Sequence, residues 1–138
     1  MRRRAVRGVG LFDALIALAI LSFGLLAMTR FQGRVVTQVT EANARLTAVQ
    51  LGDELLNTAL VDVGNAACYT LPASGTCAST AARARTTDWA ARAGSALPGT
   101  VTARSTLGVD GRLTVALEWR GQESRETRSL VAVTDVRQ

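Results

Sequence analysis

The feature that most restricts this chain is an uninterrupted apolar run near its N-terminus. The twenty residues from Val9 to Met28 carry a single charge, the carboxylate of Asp13. Twenty helical residues at about 1.5 Å each cross a hydrocarbon core of roughly 30 Å. Because lipid offers the backbone no hydrogen-bonding partners, a segment that crosses it has to be helical. The run therefore predicts a membrane-crossing helix.

The positive charge of the chain is concentrated ahead of that run. All sixteen basic residues are arginine, and eleven acids leave a net charge of +5. Without the four arginines that precede the run, twelve face eleven acids and the net charge falls to +1; those four are Arg2, Arg3, Arg4 and Arg7. Basic residues on one side of a span keep that side in the cytoplasm. The basicity therefore indicates targeting and argues against nucleic-acid binding.

Asp13 separates the possible kinds of membrane segment. A carboxylate inside a span costs about 2.5–3.5 kcal/mol on insertion scales, so a plain single-span anchor has no reason to keep one. A discarded signal peptide would have a shorter apolar region, of about 7–15 residues, and a small-x-small cleavage motif. Thr29-Arg30-Phe31 offers no such motif. The acid therefore needs a partner, and an α-amine freed by cleavage a few residues upstream would serve.

The stretch GVGLFDALIAL, residues 8–18, resembles the class III signal of type IV pilins and related pseudopilins. The resemblance implies that a prepilin peptidase cuts between Gly8 and Val9 and methylates the new amine of Val9. Asp13 then takes the fifth mature position, where the family prefers Glu, and its carboxylate would pair with the amine of a neighbouring subunit. The run LSFGLL, residues 21–26, is most similar to minor pilins of the PilV type.

The same resemblance implies a fold, a location and a set of partners. The fold is α+β and type IV pilin-like, with one long N-terminal helix packed against a small antiparallel sheet of three or slightly more strands. After a leader of residues 1–8, residues 9–30 would form the transmembrane half of the helix and residues 31–138 a periplasmic globular domain. The partners would be the inner membrane, other minor pilins, the major pilin, the prepilin peptidase and the inner-membrane assembly platform.

The expected function is that of a minor pilin that helps initiate or cap a type IV pilus. The same signal occurs in pseudopilins of type II secretion and in DNA-uptake pili, which stay open as alternatives. An uncleaved single-span periplasmic binding module is an alternative of another class. The chain has no histidine and only two cysteines, which removes the commonest general base and the commonest metal ligands. We therefore expect no enzyme activity, cofactor, metal or small-molecule substrate.

The helical pattern continues beyond the apolar run. Proline is absent from Val9 to Leu71, which predicts one helix from Val9 to about Asp62; two helices broken near Gly33 are the alternative. An apolar stripe at helical spacing predicts the face that packs on the core. Its members are Val35, Val39, Ala42, Leu46, Val49, Leu56, Leu60 and Val63.

The segment after this helix, residues 66–85, is rich in Ala, Ser, Thr and Gly and is typical of a loop. Cys68 and Cys77 lie within it on either side of a predicted turn. In an exported segment this arrangement predicts a disulfide, with two reduced thiols as the alternative. The N-cap signal Thr86-Thr87-Asp88 then predicts a short helix that ends at Pro98-Gly99.

The last forty residues predict an antiparallel meander of three strands. Apolar residues alternate in 101–107 and 113–119 around the hairpin signal Val109-Asp110-Gly111, and 130–133 forms a third apolar run. Trp119 is expected in the core beneath the sheet. A charged group around the second turn is expected to be solvated or, alternatively, to dock another subunit; its members are Glu118, Arg120, Glu123, Arg125, Glu126 and Arg128.

Overall fold

The computed structural model describes residues 7–121 and 126–137. The chain divides into two compact units, Met1–Thr40 and Glu41–Gln138. One long N-terminal helix and a three-stranded antiparallel sheet confirm the predicted α+β class. In chain order the elements are helix α1 (Arg7–Val61), a 3-10 helix (Val63–Tyr69), helix α2 (Thr80–Ala96) and strands β1 (Val101–Leu107), β2 (Arg112–Arg120) and β3 (Thr127–Asp135).

Helix α1 is continuous through Gly33, so the alternative of two helices is wrong. It ends at Val61, one residue before the predicted end, and the 3-10 helix follows. Two side chains close that end, since Tyr69 Oη and Asn65 Nδ2 both donate to the carboxylate of Asp62, at 2.8 and 2.7 Å. The chain therefore leaves α1 through a hydrogen-bonded turn and not through the loop expected from residue 66 onward.

The sheet has the order β1-β2-β3 with both pairs antiparallel, as a meander requires. The predicted inward face of β2 is confirmed, because Leu113, Val115, Leu117 and Trp119 are all buried. Trp119, at 3% exposure, lies in the core as expected. Val101 pairs with Trp119 at one end of the β1–β2 ladder and Leu107 pairs with Leu113 at the other.

The face of α1 that packs on the sheet is not the predicted stripe. Val39, Leu46 and Val49 are 54%, 61% and 43% exposed, so the expectation that they face the core is wrong. The buried side of α1 within the second unit consists mostly of small residues with three leucines; its members are Ala44, Ala48, Leu51, Gly52, Leu55, Leu56 and Ala59. Small side chains let a helix axis approach a sheet closely, which outweighs the greater apolar area of the valines.

Gly52 marks the point of closest approach between α1 and β3. A Cβ at this position would meet Leu130 Cδ2 at 3.4 Å and Ala132 Cβ at 3.8 Å. Helix α2 lies against the same stretch of α1, and the indole nitrogen of Trp89 donates to the carbonyl of Leu51 at 2.8 Å. Trp89 is only 1% exposed, so this hydrogen bond ties the two helices together inside the core.

Helix α2 begins seven residues earlier than the sequence predicted. Its N-cap is Ser79, whose hydroxyl accepts from the amide of Ala82 at 3.2 Å. Thr86, expected in the cap, is instead buried within the helix and donates from Oγ1 to the carbonyls of Cys68 and Ala82, at 3.1 and 3.2 Å. Thr86 therefore anchors α2 to the 3-10 helix, and a capping signal had concealed that internal role.

The charged group near the second turn is only partly solvated. Glu118, Arg120 and Glu126 are exposed, whereas Glu123 and Arg125 lie outside the described residues. Arg128 differs from the expectation: its side chain is 30% exposed, and its Nε lies 2.6 Å from Glu41 Oε1 on α1. The sequence placed this arginine with a turn, because a partner that lies far back along the chain leaves no local signal.

We expect Gly52→Leu to destabilise the second unit and Gly52→Ala to leave it unchanged or slightly more stable. A leucine has to displace Leu130, and overpacking of this kind costs about 1–3 kcal/mol. An alanine makes an ordinary contact and gains up to about 1 kcal/mol of helix propensity. Urea denaturation of the full chain in detergent, followed by tryptophan fluorescence, measures both changes.

Gly94→Leu on α2 is the matched control, because nothing lies within 4 Å of a Cβ at that exposed position. Equal stability of Gly52→Leu and the unsubstituted chain would contradict the close packing described for Gly52.

Candidate functional site

The apolar part of α1 is exposed throughout. Leu11, Phe12 and Phe23 are 70%, 67% and 74% exposed, and none of the most apolar stretch of the helix is buried. By length and composition, the helix over Gly10–Val61 suffices to cross a membrane, and a signal sequence meets the same criterion. An apolar surface of this extent needs lipid or protein to cover it. The chain therefore carries a candidate membrane anchor or signal sequence.

Asp13 is the polar side chain of this segment that its own helix does not satisfy. Ser22 donates its hydroxyl to the carbonyl of Leu18 at 2.7 Å, and Thr29 donates to Leu26 at 2.9 Å. Such bonds to the preceding turn let hydroxyl residues sit in an apolar environment. Asp13 is exposed, and no hydrogen bond or ion pair joins it to any residue that the structure describes. Any partner for its carboxylate has to come from elsewhere.

The helical face that carries Asp13 is lined by small residues. Gly10, Ala17 and Gly24 are seven residues apart, so they lie on one side of the helix with a drift of about 20° per heptad. Asp13 is three residues after Gly10 and four before Ala17, which makes it a neighbour of both. The space around Gly10 and Gly24 is open, since nothing lies within 4 Å of a Cβ at either.

Small residues mark the surfaces where membrane helices approach each other closely. This face, formed by Gly10, Asp13, Ala17 and Gly24, is called the small-residue face below. The sequence analysis did not find it, although the seven-residue spacing is visible in the printed chain. Phe12 and Phe23 fall on the other side of the helix, so the bulky surface and the acid are separated.

Gly8 and Val9, the residues of the predicted cleavage site, lie in the first turn of α1. Their neighbours Arg2, Arg3 and Arg4 in the predicted leader lie outside the described residues. Cleavage between Gly8 and Val9 and methylation of Val9 therefore stay predictions.

Cys68 and Cys77, far from Asp13 in sequence, are joined as a disulfide. Cys68 is completely buried, so an external thiol cannot reach its sulfur without opening the core. Arg83 of α2 braces the bridged segment by donating from Nη1 to the carbonyl of Thr70 at 2.7 Å and from Nη2 to that of Ala67 at 3.2 Å. The geometry fits a structural crosslink that holds the 3-10 helix against α2.

A shallow groove between α1 and α2 is the other candidate site in the second unit. Its volume is about 230 Å³, and its lining mixes both signs of charge with Trp89 in its floor; the other lining residues are Glu54, Leu55, Thr58, Arg85, Asp88 and Arg92. Arg92 spans the groove with bonds of 2.8 and 2.6 Å to the two oxygens of Glu54, which lower the pKa of that carboxyl. Within residues 7–121 and 126–137, no cluster of acids, cysteines or histidines has the spacing of a metal site.

The Asp62 carboxylate carries the most specific electrostatic environment in the second unit. The hydrogen bonds from Asn65 and Tyr69, with the positive charge of Arg85 nearby, hold the pKa of Asp62 below its usual value. Burial and the bond to Asp62 raise the pKa of the Tyr69 hydroxyl. Both shifts favour the charge states that keep the end of α1 closed, which is a structural role and not a catalytic one.

No protein-family model matches the chain, and neither a curated protein nor a solved structure matches it.

The lowered pKa of Asp62 predicts an acid-dependent loss of stability. A carboxylate whose folded pKa is depressed contributes stability in full above its unfolded pKa, near 4, and loses it as the pH falls through the folded value. Asp62→Asn should therefore weaken the chain at neutral pH and show a flatter decline between about pH 4 and pH 2. Tyr69→Phe removes one of the two bonds and should lie between the two. Urea midpoints measured from pH 2 to pH 7 test this, and parallel profiles for all three chains would contradict it.

Proposed function

We propose that this chain is a minor pilin that helps initiate or cap a type IV pilus, held in the bacterial inner membrane by α1 before it enters the filament. The observation that carries the proposal is Asp13, an acid without a described partner on the small-residue face of an exposed apolar helix. Its position five residues after Gly8 matches the family's processing signal. The α+β layout, with a long N-terminal helix and an antiparallel sheet, agrees with this assignment.

The mechanism follows from the electrostatics of a low-dielectric environment. Cleavage after Gly8 leaves an α-amine at Val9, and this amine in a neighbouring subunit is the partner that Asp13 needs. Pairing offsets the desolvation of the two charges only when they approach closely. Gly10 and Ala17 flank Asp13 with little side-chain bulk, which allows a neighbouring helix to bring its N-terminus near. The Asp side chain is one methylene shorter than the family's Glu, so close approach matters more here.

The orientation in the membrane rests on the arginines that precede the apolar segment. Positive residues stay on the cytoplasmic side, which sends the second unit to the periplasm. A disulfide persists in that oxidising compartment, and the Cys68–Cys77 bond is consistent with it. In this proposal the partners are the membrane, the prepilin peptidase, the assembly platform, other minor pilins and the major pilin. A type II secretion pseudopilin or a DNA-uptake pilus subunit would use the same chemistry in another machine.

The proposal first predicts the start of the mature protein. Intact-mass analysis of assembled material should show a chain that begins at Val9 with one added methyl group. Gly8→Glu should block processing, because a bulky charged residue replaces hydrogen at the cleaved bond. Retention of Met1 through Arg7 in the assembled protein would identify an uncleaved single-span module instead.

The second prediction concerns the charge at position 13. Asp13→Leu should insert in the membrane more readily, by about 2.5–3.5 kcal/mol, yet it leaves a neighbour's amine without a partner. An unpaired buried charge costs about 3–5 kcal/mol, so incorporation into filaments should fall at least tenfold, as expected for about 1.4 kcal/mol or more. Quantitative immunoblots of sheared filaments against membranes measure this ratio.

Asp13→Glu keeps the acid and should retain incorporation. Ser22→Leu is the matched control within the same segment, because the Ser22 hydroxyl is already satisfied by its own helix. Unchanged incorporation of Asp13→Leu would overturn the proposed function.

A further inference from the structure

The two edges of the sheet differ in how they are covered. At the β1 edge, Leu71 forms an antiparallel bridge with Ser105, with backbone hydrogen bonds of 2.8 Å in both directions. Helix α2 packs against the same strand. At the other edge, the described residues give β3 a single strand partner, β2. The outer edge of β3 is therefore the open one in the part of the chain that the structure describes.

Strand β3 lacks the devices by which proteins protect an open edge. Such edges are usually short or bulged, or carry proline or charged residues. β3 is nine residues long, and its centre, Ser129 to Thr134, contains no charge, proline or glycine. Val131 and Val133 are 63% and 52% exposed on the face turned away from α1. An edge of this kind would be an aggregation site unless another strand normally occupies it.

The open edge is also held in a fixed position. Leu130 and Ala132 lie against Gly52 of α1, and Arg128 is paired with Glu41 at the start of the strand. Pairing to β2 is continuous from Thr127 to Asp135. A strand that is already ordered loses little further conformational freedom when it accepts a partner.

We propose that the open edge of β3 accepts an extended strand donated by a different polypeptide of the same membrane-linked assembly. Addition of a strand to a sheet edge is a general mode of peptide recognition, in which backbone hydrogen bonds supply affinity and alternating side chains supply specificity. The complementary strand is uncharged over about five or six residues and places β-branched residues beside Val131 and Val133.

A second copy of this chain does not fit the edge in an antiparallel arrangement. Within the second unit α1 and β3 run in the same direction, because Glu41 meets Arg128 and Gly52 meets Leu130 and Ala132 further along. Antiparallel pairing of two β3 strands requires a two-fold axis perpendicular to the sheet. The two Glu41 residues would then lie at opposite ends of the joined sheet. This step rests on the proposed function, because chains held by one membrane cannot enter such a pair from opposite ends.

A second copy in the same orientation does not fit either. Side by side, β3 of one copy would meet β1 of the next, and Leu71 and α2 already cover that edge. The donated strand therefore comes from a chain with a different sheet edge or a free extended segment.

The test uses the full chain in cells that assemble the filament. The photo-crosslinking residue p-benzoylphenylalanine replaces Val133, and the crosslinked residues are mapped by mass spectrometry. Hydrogen exchange at residues 129–134 is compared between isolated filaments and the purified chain in detergent. We expect crosslinks to an extended segment of another polypeptide and exchange at least about tenfold slower in filaments for the amides of the outer edge.

The double variant Val131→Lys, Val133→Lys places charges beside the edge and, with the crosslinker at Ser129, should lower the crosslink yield at least tenfold. Val109→Lys is the matched control, because Val109 is a fully exposed valine at the β1–β2 turn. Far-UV circular dichroism and tryptophan fluorescence confirm that each variant folds.

Crosslinks from Val133 to β3 of a second copy would overturn the proposal, and so would unprotected β3 amides in filaments. Those results would leave the proposed function intact if Asp13→Leu still lost incorporation. Conversely, normal incorporation of Asp13→Leu together with a protected β3 edge would remove the pilin assignment and keep the strand partner.

Discussion

A carboxylate on an otherwise apolar, exposed helix is the constraint on which the rest of this molecule depends. Lipid tolerates the hydroxyls of Ser22 and Thr29, because each bonds to the preceding turn of its own helix. It does not tolerate a free charge in the same way, so Asp13 ties the anchor to a second molecule. The function proposed for the chain follows from that requirement. A subunit with such an acid is most stable when a neighbour supplies the opposite charge.

Helix α1 uses small residues in two different settings. In the first unit Gly10, Ala17 and Gly24 leave one side of an apolar helix open to close approach. In the second unit Ala48 and Gly52 let the sheet come near enough for Leu130 to touch the helix backbone. In both settings the residues with the least apolar area mark the surface that is meant to be covered. Larger apolar residues at Leu46 and Val49 stay outside.

That preference explains what could and could not be predicted from the sequence. The long helix, the three strands and the burial of Trp119 were predictable, because period and turn signals are local. The packed face of α1 was not, because a search for the most apolar stripe selects valines and passes over Ala48 and Gly52. The ion pair of Arg128 with Glu41 was also not predictable, since its partners lie far apart along the chain. At the candidate site, Asp13 was found from its isolation, whereas the small-residue face around it was not.

The contact between Gly52 and Leu130 links two positions that are distant in the chain. One methyl group fits between them without displacement, and anything larger has to be accommodated by a shorter side chain on the strand. In related chains that keep this packing, a larger residue at position 52 should therefore occur together with a smaller one at position 130. The spacing between helix and sheet would then be inherited as a property of the pair, while either residue alone is free to drift only within about one methyl group.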